Sequence, residues 1–277
     1  MKKTNLWLWH ILVPGMCTLV LLVSTSQAVE VKHNGSPIFS DGFEGVSTGG
    51  FPDASKWEIL YEIYGGSLEV VDGSGAGDPA PFEGSQYVKL QGDDATADGP
   101  YLTMEADLGS LTTGTIHAEW MVYIPSNSNP GGSAGGLRTS PSREPRVSQF
   151  WNLDSIGQVQ GQWNDLGSAD YSRRDPPNTT DIPYTADTWQ KWEIDFDLGT
   201  ADNGSDDRYV VTVDGISSGT LTTWREHSDV GSINFGLRYG NGDGDIFYVD
   251  AVPEPSTILI LSSGILALIA YVLPRRR

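Results

Sequence analysis

The sequence predicts an all-β protein in which two antiparallel sheets pack face to face as a β-sandwich. Three observations predict this fold class. Apolar and polar residues alternate over many short segments, clusters of turn residues separate these segments, and no long helical periodicity occurs within residues 29–251. The 33 glycines and 16 prolines follow no fixed period, so they indicate turns. About a dozen short strands in one domain favour two packed antiparallel sheets.

The clearest strand is the segment TIHAEWMVYI, residues 115–124. Ile116 and Trp120 fall on one face, and His117 and Glu119 fall on the other, as expected of a strand with one face in a core. In chain order, the other predicted strands are 58–64, 67–71, 86–90, 101–107, 147–153, 158–164, 189–197, 209–214, 219–223, 232–238 and 245–249. Between two of them, residues 125–136 (PSNSNPGGSAGG) are predicted to form a flexible surface loop.

The middle of the chain is strongly acidic. Of the 17 Lys and Arg residues five lie outside residues 29–251, and of the 36 Asp and Glu residues one does, so this region carries a net charge of −23. Such a charge argues against binding to nucleic acid or to anionic lipid, which need cationic surfaces. The single cysteine, Cys17, precedes this region, so a domain over 29–251 has no disulfide.

Both ends of the chain have the pattern of targeting segments. Lys2 and Lys3, an apolar run and small residues before position 28 predict a signal peptide over residues 1–28. Residues 257–273 contain no charge and predict a transmembrane helix about 25 Å long. The cluster Arg275, Arg276 and Arg277 then predicts a cytoplasmic stop.

The last 26 residues, 252–277, resemble the PEP-CTERM sorting signal. Pro253, Glu254 and Pro255 match its tripeptide, and the apolar helix and terminal arginines follow in the same order. The resemblance implies a protein exported by a Gram-negative bacterium and anchored first in the inner membrane. An exosortase-type enzyme, acting after signal peptidase, would then pass it to the cell surface or extracellular matrix.

The central region resembles concanavalin A-like lectin and glucanase jelly rolls. Trp189 opens a strand and Asp214-Gly215 closes its partner, as in a hairpin of that class, and residues 39–45 and 247–252 resemble its first and last strands. The resemblance implies a jelly-roll domain over residues 29–251 that binds extracellular polysaccharide.

In several such modules a structural calcium bridges the first and last strands. The matching residues are Glu44 and Asp250, with Asp41 nearby. A second candidate is the alternating set Asn241, Asp243 and Asp245. Ordinary turn acids are the alternative for both.

The motif EIDFD offers a catalytic alternative. Glu193, Asp195 and Asp197 point the same way on a strand, so three carboxylates meet on one face. The resemblance to retaining glucanases implies Glu193 as nucleophile, Asp195 as modulator and Asp197 as acid. Asp197 is one methylene shorter than the glucanase Glu, and the motif lies late in the domain. A solvent-facing stripe opposite buried Trp192, Ile194 and Phe196 is the competing interpretation.

A glycan site is expected where aromatic and amide side chains share a face. The predicted lining residues are Gln149, Trp151, Gln160, Gln162, Tyr171 and Arg173. The alternative is that the tryptophans are core residues and the glutamines are solvated. The preferred interpretation is a glycan-binding protein with no catalytic residue, and the two alternatives are a glycoside hydrolase and a structural matrix protein without a small ligand.

Overall fold

A computed structural model describes residues 29–63, 66–92, 101–128, 132–138, 146–151, 158–161, 180–200, 207–222, 229–238 and 246–252. The regular elements within these residues are seventeen strands, and every pairing between them is antiparallel. The predicted all-β antiparallel fold is therefore confirmed. In the described part of the chain, no helix is long and apolar enough to cross a membrane.

The first sheet has ten strands. They are β1 (Val29–His33), β2 (Ser36–Asp41), β4 (Ser67–Val71), β5 (Tyr87–Gln91), β7 (Gly114–Tyr123), β12 (Trp189–Leu198), β13 (Arg208–Val213), β14 (Ile216–Ser217), β15 (Leu221–Thr222) and β17 (Ile246–Asp250). Its main order is β14-β13-β12-β7-β17-β5-β4, and β1 joins β2 to β7. The predicted hairpin between Trp189 and Asp214 is the pair β12–β13.

The second sheet has seven strands. They are β3 (Glu58–Ile63), β6 (Tyr101–Leu111), β8 (Gly132–Arg138), β9 (Arg146–Trp151), β10 (Gln158–Gly161), β11 (Thr180–Pro183) and β16 (Val230–Arg238). Their order is β11-β10-β9-β8-β16-β6-β3. Residues 105, 138 and 234 come from distant parts of the chain, and this order places their strands side by side.

One apolar core fills the space between the sheets. Trp120 of β7 meets Phe235 of β16 with ring centroids 5.4 Å apart. Along β12, Trp192, Ile194 and Phe196 are buried, as the alternation predicts. On β6 and β16 the apolar residues Met104, Ala106, Ile233 and Phe235 enter this core, and the polar residues that alternate with them lie on the other face of the sheet.

The prediction of a flexible loop over residues 125–136 is wrong at its end, where β8 begins at Gly132. Small residues without β-branching gave no strand signal there. The strand forms because Gly135 lies at a β-bulge between Ser133 and Gly136 and lets the backbone approach the Trp120 ring. The first strand, β1, and the short β11 were also not predicted.

Candidate functional site

The second sheet carries a polar face that is turned away from the core. On β6, β8 and β16 the apolar residues enter the core, and the alternate residues form this face. The polar face is defined by five side chains with at most 7% exposure, namely Thr103, Glu105, Arg138, Ser232 and Asn234. Burial of so many polar groups is costly unless each has a hydrogen-bond partner.

Several polar atoms of this face lack such a partner. Within the described residues, Arg138 Nε and both amide atoms of Asn234 make no hydrogen bond. The Arg138 Nη1 atom lies 3.4 Å from Glu105 Oε2, which is long for a charge-assisted pair. Each unsatisfied buried group typically costs about 1–3 kcal/mol, so the polar face has the composition expected of a site that is completed by a ligand or by water.

Glu105 is the one carboxylate among the five side chains of the polar face. Burial raises the pKa of its carboxyl, and the Ser232 hydroxyl and the Arg138 guanidinium oppose the shift only in part. Ser232 Oγ is near enough to act on the carboxyl, although its geometry falls short of a hydrogen bond. The negative charges of Glu58 and Asp107 raise the pKa further. Within the described residues, Glu105 is the one acidic partner of Arg138.

Strand register connects the polar face to the predicted glycan-binding residues. Asn234 pairs with Gly136, and Gly136 pairs with Gln149. One row along, Trp151 stands opposite Gln160. Three of the six predicted residues thus occupy neighbouring register positions, while Gln162, Tyr171 and Arg173 lie outside the described residues.

Glu105, Arg138 and Asn234 were not predicted as site residues. The segment SINFGLR, residues 232–238, did contain the signal, because Ser232 and Asn234 alternate with apolar residues. Arg138 could not be found in this way, because its strand was predicted to be a loop up to residue 136. Alternation also leaves open whether the polar side of a strand is solvated or buried.

A second polar cluster lies on the outer face of the first sheet. Glu193, Asp195 and Asp197 point outward from β12, as predicted. The Lys191 ammonium contacts Glu119 at 2.7 Å and Glu193 at 2.8 Å. His117 Nδ1 donates to Asp195 Oδ1 at 2.7 Å, so two of the three stripe carboxylates belong to an ion-pair network.

This network contains a geometry that a metal ion could use. Ligand atoms of His117, Glu119 and Glu193 all lie within 4.8 Å of one another. Hydrogen bonds to Asp195 and Glu119 raise the pKa of His117 to about 9, so the imidazole is protonated at neutral pH. Because this imidazolium and the Lys191 ammonium already contact the carboxylates, the cluster is better described as an ion-pair network than as a metal centre.

The His117→Gln variant is expected to lose stability in a pH-dependent way. The folded pKa of His117 is raised from 6.5 to about 9, so its contribution is complete below pH 6.5 and is lost as the pH rises through 9. The pKa of Glu119 is lowered from 4.5 to about 2, mainly by the His117 hydrogen bond. The contribution of Glu119 to stability is therefore complete above pH 4.5 and is lost as the pH falls through 2. Denaturant unfolding should show the largest difference between the natural protein and the variant at pH 4.5–6.5, on the order of 1 kcal/mol because Asp195 is mostly exposed. A difference that stays constant up to pH 10 would contradict this account.

The proposed calcium ligands are only partly brought together. Asp250 is fully buried and accepts hydrogen bonds from the backbone N–H groups of Phe82, Glu83 and Ala251. Glu44 accepts from Ser85 N–H and hydroxyl and from Gln86 N–H, so both carboxylates hold one segment, residues 82–86.

Burial raises the pKa of Asp250 to about 7, and the Glu44 charge adds to the shift. Asp250 is buried, whereas Glu44 is exposed, and both carboxylates contact the same segment. A divalent cation bound by both would favour their ionised forms.

Asp41 has a different role. Its carboxylate accepts a hydrogen bond from Trp57 Nε1 at 2.5 Å and from the Phe43 N–H at 3.2 Å, and it pairs with Lys56 Nζ at 3.3 Å. These contacts attach the first hairpin to the core tryptophan. The alternative set at residues 241, 243 and 245 lies outside the described residues.

Comparison with known proteins supports the fold. The sequence matches no protein-family model and no curated protein. A solved structure titled sialidase matches with a TM-score of 0.50 and 14% identity over 83% of this chain. This chain spans only 19% of the length of that sialidase chain.

Two other solved structures are similar with lower scores. The alginate lyase vAL-1 from Chlorella virus has a TM-score of 0.43 and 16% identity, covering 71% of this chain and 91% of its own. A Bacillus licheniformis β-glucanase has a TM-score of 0.44 and 14% identity, covering 78% and 98%. At these identities the comparisons concern the fold alone. The two antiparallel sheets and the sialidase match together confirm the predicted two-sheet antiparallel β-sandwich.

Proposed function

We propose that this protein binds carbohydrate through the polar face of its second sheet. The observation that carries the proposal is Asn234, whose side chain is 0% exposed and whose amide oxygen and nitrogen have no partner in the described structure. An amide offers two donors and an oxygen acceptor, which suits the adjacent hydroxyls of a sugar ring. Trp151 lies two residues after Gln149 on β9. An aromatic ring at that position would complete a sugar subsite.

Binding can be tested with the full-length chain on a glycan array, in a detergent without a sugar headgroup. The natural protein is expected to bind one class of polysaccharide, and Asn234→Ala is expected to weaken this binding at least tenfold, since about 1.4 kcal/mol corresponds to a factor of ten. Asp195→Asn, on the outer face of the other sheet, is the matched control and should bind normally. An array without any bound glycan would instead favour the alternative of a structural matrix protein.

Glycoside hydrolysis remains the catalytic alternative, with Glu193, Asp195 and Asp197 in the roles given above. The contacts of Glu193 with Lys191 and of Asp195 with His117 favour an ion-pair network over a dyad poised for catalysis. If Glu193 is the nucleophile, Glu193→Gln abolishes the release of reducing sugar from any polysaccharide that the natural protein cleaves. On the binding proposal neither protein releases reducing sugar, and both retain the glycan.

The terminal segments give the proposed route of export. Residues 1–28 would be removed by signal peptidase, and residues 252–277 would hold the protein in the inner membrane until an exosortase-type enzyme acts at Pro253, Glu254 and Pro255. Strand β17 ends at Asp250, so the tripeptide follows the folded domain by only two intervening residues. Replacement of the three motif residues by alanine should leave the protein in the inner-membrane fraction. Normal appearance of this variant at the cell surface or in the matrix would refute the sorting proposal.

Structural calcium is proposed at Glu44 and Asp250. Calcium is expected to raise the melting temperature of the full-length chain and EDTA to lower it, because an ion that binds only the folded state stabilises it by about 2.7 kcal/mol at a hundred times its Kd. Glu44→Gln should remove the response, whereas Asp41→Asn should keep it, because Asp41 is held by Trp57 and Lys56. Melting curves that are identical with calcium and with EDTA would exclude this site.

A further inference from the structure

The polar face has an uneven distribution of charge. Its acidic residues lie on the outer strands β3 and β6, where Glu58 stands opposite Glu105 in register and Asp107 follows two positions later. Its basic residue, Arg138, lies on β8. The strand between them, β16, contributes the neutral residues Ser232 and Asn234.

Within the described residues the only acidic partner of Arg138 is Glu105, at 3.4 Å through a single nitrogen. The guanidinium is 2% exposed, and its Nε–H has no acceptor in that part of the chain. A buried guanidinium normally makes short, often bidentate bonds to an anion, so Arg138 is incompletely paired.

We infer that the polar face recognises a carboxylated sugar, a uronate unit of a polysaccharide, through the underpaired Arg138 beside the unpaired amide of Asn234. This inference rests on the proposed glycan-binding function and deepens it. The sugar carboxylate would accept from Arg138 Nε–H and from the Asn234 amide N–H, and Asn234 Oδ1 would accept from a neighbouring hydroxyl.

The net charge of the chain is −19, so a polyanion can be held only by specific contacts. At long range the domain repels a polyanion, so recognition depends on short contacts at Arg138 and not on a broad basic surface. Since the attraction is confined to one short contact, added salt should weaken binding less than it weakens the adsorption of a polyanion to an extended basic patch.

The test compares polygalacturonate with its carboxyl-reduced form, a neutral galactan, by calorimetric titration of the full-length chain. The uronate polymer is expected to bind at least ten times more tightly than the reduced polymer. Arg138→Gln and Asn234→Leu should each remove this preference, and Asp195→Asn should keep it. If Arg138→Gln does not fold, Arg138→Lys serves in its place and should reduce the preference, because an ammonium cannot make the bidentate contact of a guanidinium.

Dextran sulfate and dextran form the second arm, because a sulfate ester is also an anion. Tight binding of dextran sulfate that is unchanged in Arg138→Gln or Asn234→Leu would show non-specific polyanion binding and overturn the inference. Equal binding of polygalacturonate and its reduced form, with dependence on Asn234, would overturn the inference and leave the proposed function standing. If none of these polymers binds but the array identifies a neutral glycan, the inference fails and the proposed function still stands. The absence of binding to every polysaccharide overturns both.

Discussion

The Asn234→Leu variant is expected to melt at a higher temperature than the natural protein and to lose glycan binding. Asn234 is fully buried, and neither atom of its amide has a partner in the described structure. Leucine has the same number of side-chain heavy atoms and no polar group to desolvate. Removal of an unsatisfied buried amide should therefore stabilise the fold by about 1–3 kcal/mol, or about 2–12 °C for a domain of this size.

A gain in stability with a loss of function is the pattern expected of a binding residue, because a binding site keeps polar groups unpaired for its ligand. The matched control is Gln190→Met. Gln190 is 7% exposed, but its amide accepts from Thr185 N–H at 2.6 Å and donates to Asp214 at 3.0 Å. That substitution should destabilise the protein by about 1–3 kcal/mol, since it leaves a backbone donor unpaired. Thermal unfolding that shows both variants destabilised alike would mean that Asn234 has a structural role.

The Gly135→Val variant is expected to unfold the sandwich or to destabilise it by about 4 kcal/mol or more. Gly135 has a φ of 141°, which a β-branched residue adopts only with strain. A Cβ at this position would lie 2.6 Å from Trp120 Cε2 and 3.0 Å from Phe235 Cε1. Both rings are buried and cannot rotate away without opening the core between the sheets.

The Gly109→Ala variant separates the backbone strain from the steric clash with the rings. Gly109 also has a positive φ, 76°, but an added Cβ there meets nothing within 4 Å. This variant should lose only about 1–2 kcal/mol of stability, which is the cost of a positive φ for a residue with a Cβ. Urea unfolding of the two variants should therefore differ by several kcal/mol. Equal costs would mean that the approach of β8 to Trp120 does not support the core.

The polar face shows where prediction from sequence stops. Alternation predicted the strand that contains Gln149 and Trp151, which is β9, and it placed Glu193 and Asp195 opposite buried Trp192 and Ile194. It could not place Arg138, because GSAGGLR has no apolar alternation until its strand packs on Trp120. It could not assign a partner to Asp41 either, because the Trp57 indole reaches it only when the first hairpin folds against the core.

The sequence by itself determined the all-β class, most of the strands and the inward or outward side of each residue along a strand. These properties are local, because they follow from a period of two in the backbone. The tertiary structure alone decided that Glu105, Arg138 and Asn234 share one buried face, because strand order and register are set by contacts between distant segments. The free energy that selects this order comes from burying Trp120 and Phe235 between the sheets, and the unpaired polar atoms on the opposite face follow from it.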